Sequence, residues 1–316
     1  MNVLAAAQVL PAGDVRVIGG GAARNALATP MSTRMSTFIS KLMAHQARRA
    51  ALPLACLLAG ALSLPAQATQ PLWELGLGAA WVHLPHYRGS DQAHDWLLPL
   101  PYAVYRGKIF RATREGARAV LFESQRLDLD LSVAATAPLK SADNRARAGM
   151  PDLAPTVEVG PNLNFTLSQG RNWKLDLRLP VRGVFSVQRD SQALGWTASP
   201  VLNLDLRWQE WNVGVQAGPL FGSQSNHAYF YGVAAQHASA ARPAYRAEGG
   251  YAGSRFTVGA SRRLGDFWLG TYVRADSVAG ARFEASPLVR QRNNWSAGLA
   301  LSWIFKVSAE RVEIED

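Results

Sequence analysis

The residues best suited to hydrolytic chemistry are His237 and Ser239, which stand two positions apart, with Glu248 further along the chain. A serine nucleophile needs a base within hydrogen-bond distance and a third group that orients the base. The surrounding stretch is rich in alanine and shows no strand alternation, so it predicts a loop that would not hold this geometry. We therefore predict no catalytic residue and no enzyme activity. Hydrolysis of lipid A or phospholipid that disappears in Ser239→Ala would contradict this prediction.

A second group of side chains could in principle bind a metal ion: His83, His86 and His94, with Asp91 nearby. Two histidines three positions apart on a strand face opposite sides, so shared ligation requires a turn between them, which Pro85 could begin. Zinc sites need three or four converging ligands and supporting contacts. The sequence therefore predicts no metal site. Uptake of Zn²⁺ or Cu²⁺ at neutral pH is the observation that would reverse this interpretation.

The strongly basic composition suggests a nucleic-acid partner, but the positions of the charges argue against one. The chain has 33 Lys and Arg against 23 Asp and Glu, and residues 1–68 contain six of the basic residues and one acid. The remainder therefore carries 27 basic and 22 acidic residues, a formal +5. No basic run interleaved with aromatic residues follows, so no nucleic-acid partner is predicted. The only glycine run that suggests a phosphate loop, at 19–21, lies in the leader, so no cofactor is predicted.

Residues 1–68 have the layout of an export leader. Basic residues precede an uncharged apolar run over residues 50–64, and an Ala-x-Ala site ends at Ala68. This order is typical of a secretory signal peptide, so we predict cleavage after Ala68. Translation could also begin at an internal methionine: Met31, Met35 or Met43. Cys56, the single cysteine, lies inside the apolar run and would be removed with it.

After residue 68 the chain shows repeated period-two alternation instead of long apolar runs. From Trp173 to Val181 every second residue is apolar. The residues between them are charged, except Pro180. The segment from Trp295 to Phe305 also alternates, with Trp, Leu and Phe opposite Ser, Gly and Ala. Side chains of a strand point alternately to opposite faces, so each run predicts a two-faced strand. The candidate strands are 72–84, 96–106, 108–113, 117–124, 127–136, 155–168, 173–187, 194–208, 211–221, 245–252, 255–264, 267–277 and 294–305.

These strands predict an all-β, antiparallel transmembrane β-barrel of about 12 strands (roughly 10–14), with a polar lumen and aromatic girdles. Aromatic residues stand at strand ends, as in the interfacial girdles of outer-membrane barrels: Trp73, Trp81, Trp208, Trp211, Trp295, Trp303 and Phe305. The opposite strand faces carry charges that suit a polar lumen better than the core of a sandwich: Asp176, Arg178, Arg182, Asp205 and Arg274. Residues 69–305 would form the barrel and residues 306–316 a short charged tail that is poorly ordered.

Several segments resemble the MipA/OmpV family of outer-membrane proteins. They occur in the family's order between about Leu72 and Phe305: His86–Asp91, Leu98–Tyr102, Tyr105–Gly107, Tyr231–Val233, Arg242–Tyr245 and Ser286–Arg290. Physically, His86–Asp91 predicts a turn at the barrel rim, and Pro99 and Pro101 predict an irregular strand. A partner-docking surface is the alternative interpretation of this segment. The tail departs from the usual pattern of outer-membrane strands, which end the chain on an aromatic residue.

The resemblance implies a Gram-negative outer-membrane scaffold that brings a murein lytic transglycosylase together with a bifunctional peptidoglycan synthase, a penicillin-binding protein. Contact with outer-membrane lipids, including lipopolysaccharide, is expected at the rim. Two alternatives stay open. One is a pore for small anionic solutes, because 23 Arg and four Lys follow residue 68. The other is a surface adhesin that acts through the outer loops 137–154 and 222–244.

Overall fold

A computed structural model describes residues 69–106, 110–113, 116–124 and 126–313. The predicted leader, its start sites and its cleavage point lie outside these residues. The strands are β1 (Thr69–Pro71), β2 (Trp73–Pro85), β3 (Ala93–Arg106), β4 (Phe110–Thr113), β5 (Gly116–Glu123), β6 (Leu127–Thr136), β7 (Thr156–Gly170), β8 (Trp173–Ser186), β9 (Ala193–Ala198), β10 (Val201–Trp208), β11 (Trp211–Gly222), β12 (Gly250–Leu264), β13 (Phe267–Ser277), β14 (Asn293–Val307) and β15 (Arg311–Glu313). One α-helix, α1 (Gln224–Tyr231), lies between β11 and β12.

The strands from β2 to β14 close into an antiparallel barrel. Consecutive strands pair with each other, and β14 pairs back with β2. β9 and β10 lie end to end between the same two neighbours, since both pair with β8 and with β11. Pro200, which has no N–H, lies in the gap between them. Counting β9 and β10 as one interrupted strand gives a twelve-stranded wall among the described residues, which confirms the predicted fold class and strand number.

The two ends of the barrel differ in the length of their connections. Two-residue turns join β7 to β8, β10 to β11 and β12 to β13 at the end where β2 begins and β14 ends. At the other end five connections are longer: 86–92, 137–155, 187–192, 223–249 and 278–292. Outer-membrane barrels place short turns in the periplasm and long loops outside the cell. We name the two ends periplasmic and outer accordingly.

The alternation predicted from the sequence is present in the burial of the wall. On β8 the outward-facing, odd-numbered residues are apolar or glycine, whereas the inward-facing Asp176 is 2% exposed. Large aromatic residues are exposed on the outer surface near both ends: Trp173, Trp208, Trp303, Phe267 and Phe305 at the periplasmic end, and Trp196 and Trp295 at the outer end. Trp295 and Trp303 are eight residues apart on β14, which is about 27 Å along a strand. That spacing suits the apolar band of an outer-membrane barrel.

The predicted strand at 245–252 is wrong. Residues 250–252 instead open β12, which runs unbroken to Leu264. The apparent break is a bulge, because the pairing with β11 shifts by one residue after the pair of Leu220 and Gly253. Gly253 has a φ of +101° there, a left-handed conformation that favours glycine.

Two other sequence expectations need correction. β3 is not irregular at its prolines, since its pairing with β2 has no register shift. Within the described pairings β4 reaches only Tyr105 and Arg106, so Pro99 and Pro101 lie on an edge, where a missing N–H breaks no ladder. The tail after Phe305 is also partly ordered. β14 continues to Val307, and β15 pairs with β1.

Helix α1 was not predicted. Ser223 begins it as the N-cap, since its side chain accepts a hydrogen bond from the backbone N–H of Asn226. The helix has eight residues of mixed polarity, so the sequence contains no amphipathic pattern that would predict it. In the described part of the chain, no helix combines the length and apolar character needed to cross a membrane.

Candidate functional site

The long outer connections do not extend freely from the barrel but pack into one body, which we call the cap (86–92, 137–155, 223–249 and 278–292). Its apolar core joins Tyr87, Leu139, Leu153, Tyr231, Val233, Ala247, Val278, Ala281, Phe283 and Leu288 with Leu220 and Ala252 from the strand ends. These residues come from four separate connections. The outer end of the barrel therefore carries a packed core built from four connections and not only separate loops.

The first connection, 86–92, is locked into the cap by hydrogen bonds. Tyr87 is 2% exposed, and its hydroxyl donates to the carbonyl oxygen of Leu288 at 2.8 Å. Gly89 has a φ of +91°, and its N–H donates to Oδ1 of Asn294 at 2.6 Å. The N–H of Ser90 donates to the carbonyl of Tyr87 at 3.0 Å, which closes a turn. The segment is thus a turn at the rim, as predicted, and it also fastens the loop before β3 to the loop before β14.

Four of the segments that carry the family resemblance meet in this cap: His86–Asp91, Tyr231–Val233, Arg242–Tyr245 and Ser286–Arg290. Tyr231 stacks on Phe283 with the ring centroids 3.6 Å apart, and its hydroxyl donates to the carbonyl of Arg88 at 3.0 Å. Ser286 donates its hydroxyl to the carbonyl of Tyr231 at 2.7 Å. Val233 and Tyr245 pair as an isolated antiparallel bridge. Burial raises the pKa of Tyr231 to about 12, so its phenol stays protonated and remains a donor at neutral pH.

Arg147 ties the connection 137–155 to helix α1. Its side chain donates to the carbonyl of Phe230 at 3.0 Å and to that of Pro151 at 3.2 Å, and the residue is 2% exposed. Beside it lies an open groove of about 750 Å³ between the two longest outer connections. Its lining includes Tyr229, His237, Tyr245 and Arg246.

The cap contains a buried histidine whose protonation should weaken it. His227 is 2% exposed, its Nδ1–H donates to the carbonyl of Glu248 at 2.6 Å, and its ring packs edge-on against Phe283. Burial lowers the pKa of His227, and nearby Arg88 lowers it further, although the Glu248 carbonyl opposes them. Burial also lowers the pKa of His86 in the first connection.

We therefore expect the cap to lose stability as the pH falls below about 6.5, because the unfolded imidazole binds a proton there and the folded one does not. The protection factors of the cap amides, which correct for the slower intrinsic exchange at low pH, should fall between pH 7.5 and pH 5.5, and His227→Gln should reduce this dependence. His237→Gln, in the outer loop, is the matched control and should behave like the unsubstituted protein. An equal pH dependence in all three proteins would contradict the assignment.

Beneath the cap the lumen is lined with charged groups that are mostly paired with each other. Asp176 lies 3.4 Å from Lys174 and 3.5 Å from Arg178. Arg178 also donates to Asp205 at 3.0 Å. These side chains stand on β8 and β10, where the sequence predicted a polar lumen face. The lumen charges thus form cross-strand networks that hold the wall together.

At the periplasmic end a second network surrounds one carboxylate. Glu74 is 1% exposed and accepts hydrogen bonds from Arg106 at 2.7 Å, Arg263 at 2.8 Å and the Tyr102 hydroxyl at 3.1 Å. Arg263 stands on β12, three strands away from β2 around the barrel. No local sequence pattern predicts this network, since Glu74 and Arg263 are 189 residues apart.

The residues considered for catalysis are not arranged as a triad. Glu248 is engaged elsewhere, with its carbonyl on His227 and its carboxylate 3.6 Å from Arg282. Ser239 belongs to a tight turn in which its backbone pairs with Arg242. His237 uses its carbonyl to accept from the same arginine.

The histidines considered for metal binding also have separate surroundings. His83 stacks on Trp295 with centroids 4.3 Å apart and contacts Asp95 at 3.1 Å. Nδ1 of His86 lies 3.1 Å from the Asn144 amide, and His94 packs near Trp96. Across the described residues, no group of three or more His, Cys, Asp or Glu side chains is placed to hold a metal ion.

Comparison with solved structures returns outer-membrane proteins at low identity. A bacterial polysaccharide outer-membrane secretin is 8% identical, with a TM-score of 0.38, over 75% of this chain and 99% of that one. An outer-membrane channel from Pseudomonas putida F1 is 12% identical, with a TM-score of 0.39, over 77% and 100%. Outer membrane phospholipase A from Escherichia coli is 12% identical, with a TM-score of 0.31, over 74% and 93%.

Sequence comparison identifies the family. No curated protein sequence matches the chain. The sequence pattern of the family described as MltA-interacting protein MipA, however, matches residues 75–305, which is most of the chain and nearly all of the barrel. The segments that resembled this family, Tyr87 and Gly89 at the rim and Tyr231 and Leu288 in the cap, are the ones that hold the outer end together. This outer-membrane β-barrel protein belongs to the MipA family.

Proposed function

We propose that this protein is a scaffold that holds a murein lytic transglycosylase, and with it a bifunctional peptidoglycan synthase, at the periplasmic end of the barrel. The family description, MltA-interacting protein, names the first of these partners. The observation that carries the proposal is the asymmetry between the ends. The outer end is covered by a packed cap, whereas the periplasmic end presents short turns on rigid strands. Short, well-supported turns suit the positioning of a partner.

The periplasmic turns provide an exposed surface of mixed charge. Glu210 and Asp266 are exposed at the turns before β11 and β13. Arg262 pairs with Glu210 and lies over the ring of Trp211 at 5.8 Å. Trp208 is 67% exposed beside this pair. Aromatic and arginine side chains next to polar ones are typical of protein interfaces.

Affinity capture tests the scaffold proposal. The detergent-solubilised mature protein should retain a purified lytic transglycosylase, and the double variant Glu210→Lys and Asp266→Lys should retain about tenfold less, because charge at an interface selects partners. Arg145→Glu is the matched control on the outer loops, where that side chain is 78% exposed. Equal capture by the double variant, or loss of capture in the Arg145 control, would count against a periplasmic docking surface.

We further propose that the protein has no catalytic activity of its own and that it contacts lipopolysaccharide at the outer rim. Exposed arginines support the second statement, since anionic headgroups attract them: Arg145, Arg282 and Arg292. Export by the predicted signal peptide stays a prediction. So does an adhesin role, for which the outer loops and their groove offer a surface.

A second candidate function is a pore for small anions. The observation in its favour is the set of arginines on the inner wall: Arg178, Arg182, Arg255 and Arg274. Packing argues against an open channel, since Arg274 is only 1% exposed and a packed core stands at the outer end of the barrel. Planar-bilayer recording distinguishes the two, because a scaffold with a closed lumen should show no steady conductance.

A further inference from the structure

The outer third of the lumen gathers positive charge around one acid. Arg255 on β12 donates to Asp276 on β13 at 2.8 Å. Arg88 reaches in from the rim turn, and its Nε lies 3.6 Å from the same carboxylate. Arg274, two residues before Asp276, is also buried here at 1% exposure. Three guanidinium groups, from Arg88, Arg255 and Arg274, therefore lie near one carboxylate in this part of the lumen.

Two buried hydroxyl groups flank Arg274 on the neighbouring strands. Thr257 on β12 and Ser296 on β14 are its cross-strand partners, so their Cα atoms lie about 4.5–5.5 Å from that of Arg274. Both residues are 1% exposed, and neither hydroxyl has a hydrogen-bond partner within the described chain. Buried hydroxyls are nearly always hydrogen-bonded, so both hydroxyls can donate to an acceptor that also contacts the guanidinium.

A third hydroxyl lies in the next row toward the periplasm. Tyr272 is 6% exposed, and its phenol oxygen has no partner among the described residues. Its ring rests on Gly298, where an added Cβ would come within 2.4 Å of a ring atom. The guanidinium carbon of Arg274 lies 5.5 Å from the ring centroid. The glycine thus lets the ring lie flat on the wall, next to the arginine.

We propose that Arg274, Thr257, Ser296 and Tyr272 form a binding site for a phosphate-type oxyanion in the lumen. A guanidinium offers a fork of donors that fits two oxygens of such an anion, and the three hydroxyls supply further donors. Arg88 and Arg255 add the charge that a dianion requires. The strands separate these inward-facing groups from the lipid, so the ligand is an anion inside the barrel and not a membrane headgroup. This site is independent of the scaffold role and of whether the barrel conducts.

Titration calorimetry with inorganic phosphate tests the site on the full, detergent-solubilised protein near pH 7. We expect one phosphate per chain. The double variant Thr257→Val and Ser296→Ala keeps every charge and should weaken binding about tenfold or more, since each hydrogen bond to a charged group is substantial. Arg274→Gln should abolish detectable binding. Arg178→Gln, in the separate network with Asp176 and Asp205, is the matched control and should bind phosphate normally.

The outcomes separate the proposed site from general electrostatic attraction. Equal phosphate binding by the hydroxyl double variant and the unsubstituted protein would overturn the site, as would an equal loss in the Arg178→Gln control. A second arm compares nanodiscs of phosphatidylglycerol with nanodiscs of phosphatidylcholine. Phosphate affinity should be the same in both. Loss of phosphate binding in phosphatidylglycerol alone would identify a lipid headgroup as the ligand and would contradict a site inside the lumen.

Discussion

Replacing Glu74 with alanine should destabilise the barrel more than any other single change to the lumen considered above. The carboxylate is 1% exposed and accepts hydrogen bonds from Arg106, Arg263 and Tyr102. Without it, two guanidinium groups remain close together at the periplasmic end of the lumen without their shared counter-charge. Removing one partner of a buried ion pair costs about 3–5 kcal/mol, because the remaining charge is no longer compensated.

The free energy of unfolding in urea, followed by tryptophan fluorescence, measures this loss. Glu210→Ala is the matched control, since Glu210 pairs with Arg262 at an exposed turn where an ion pair contributes about 0–1 kcal/mol. Glu74→Gln should lie between the two, because the amide keeps the shape and part of the hydrogen bonding but loses the charge. If Glu74→Ala unfolded within about 0.5 kcal/mol of the unsubstituted protein, the network would have no structural role.

Replacing Tyr231 with alanine should open the cap and leave the barrel wall closed. Tyr231 is 5% exposed, stacks on Phe283 at 3.6 Å, donates to the Arg88 carbonyl and offers its own carbonyl to Ser286. Truncating a large buried aromatic residue costs about 3–5 kcal/mol through the lost contacts and the cavity. The cost falls on the cap, since the contacts of the ring are with other cap residues.

Limited trypsin digestion and hydrogen exchange measure the opening of the cap separately from any change in the barrel wall. Cleavage after Arg242 and Arg246 in the outer loop should become fast in Tyr231→Ala, while exchange in β7 and β8 stays unchanged. Tyr231→Phe keeps the ring and loses only the hydrogen bond, so it should cost about 1 kcal/mol and leave the cap protected. Global loss of strand protection in Tyr231→Ala would show that the cap and the wall unfold as one unit, contrary to expectation.

The wall of the barrel was predictable from the sequence because its signal is local. The alternation from Trp173 to Val181 and from Trp295 to Phe305 assigns each side chain to a face without reference to any distant residue. Short turns such as Gly265-Asp266 then pair neighbouring strands. The predicted strand break between residues 252 and 255 was wrong, and the cause is also local. Gly253 supports a bulge within one continuous strand, and in the sequence this bulge looks like a turn.

What only the tertiary structure decided is how the connections and the lumen charges combine. The Tyr87 hydroxyl donates to the carbonyl of Leu288, 201 residues further along the chain. Glu74 accepts a hydrogen bond from Arg263, 189 residues away. Helix α1 and the cap core arise from contacts between four loops, none of which has a periodic pattern of its own. Period-two alternation states which face a residue occupies but not which strand lies across the lumen. The sequence by itself therefore determined a two-faced barrel with aromatic girdles. The closing of the barrel, in which β14 pairs with β2, brought Glu74 to Arg263, because adjacency around a closed wall depends on register.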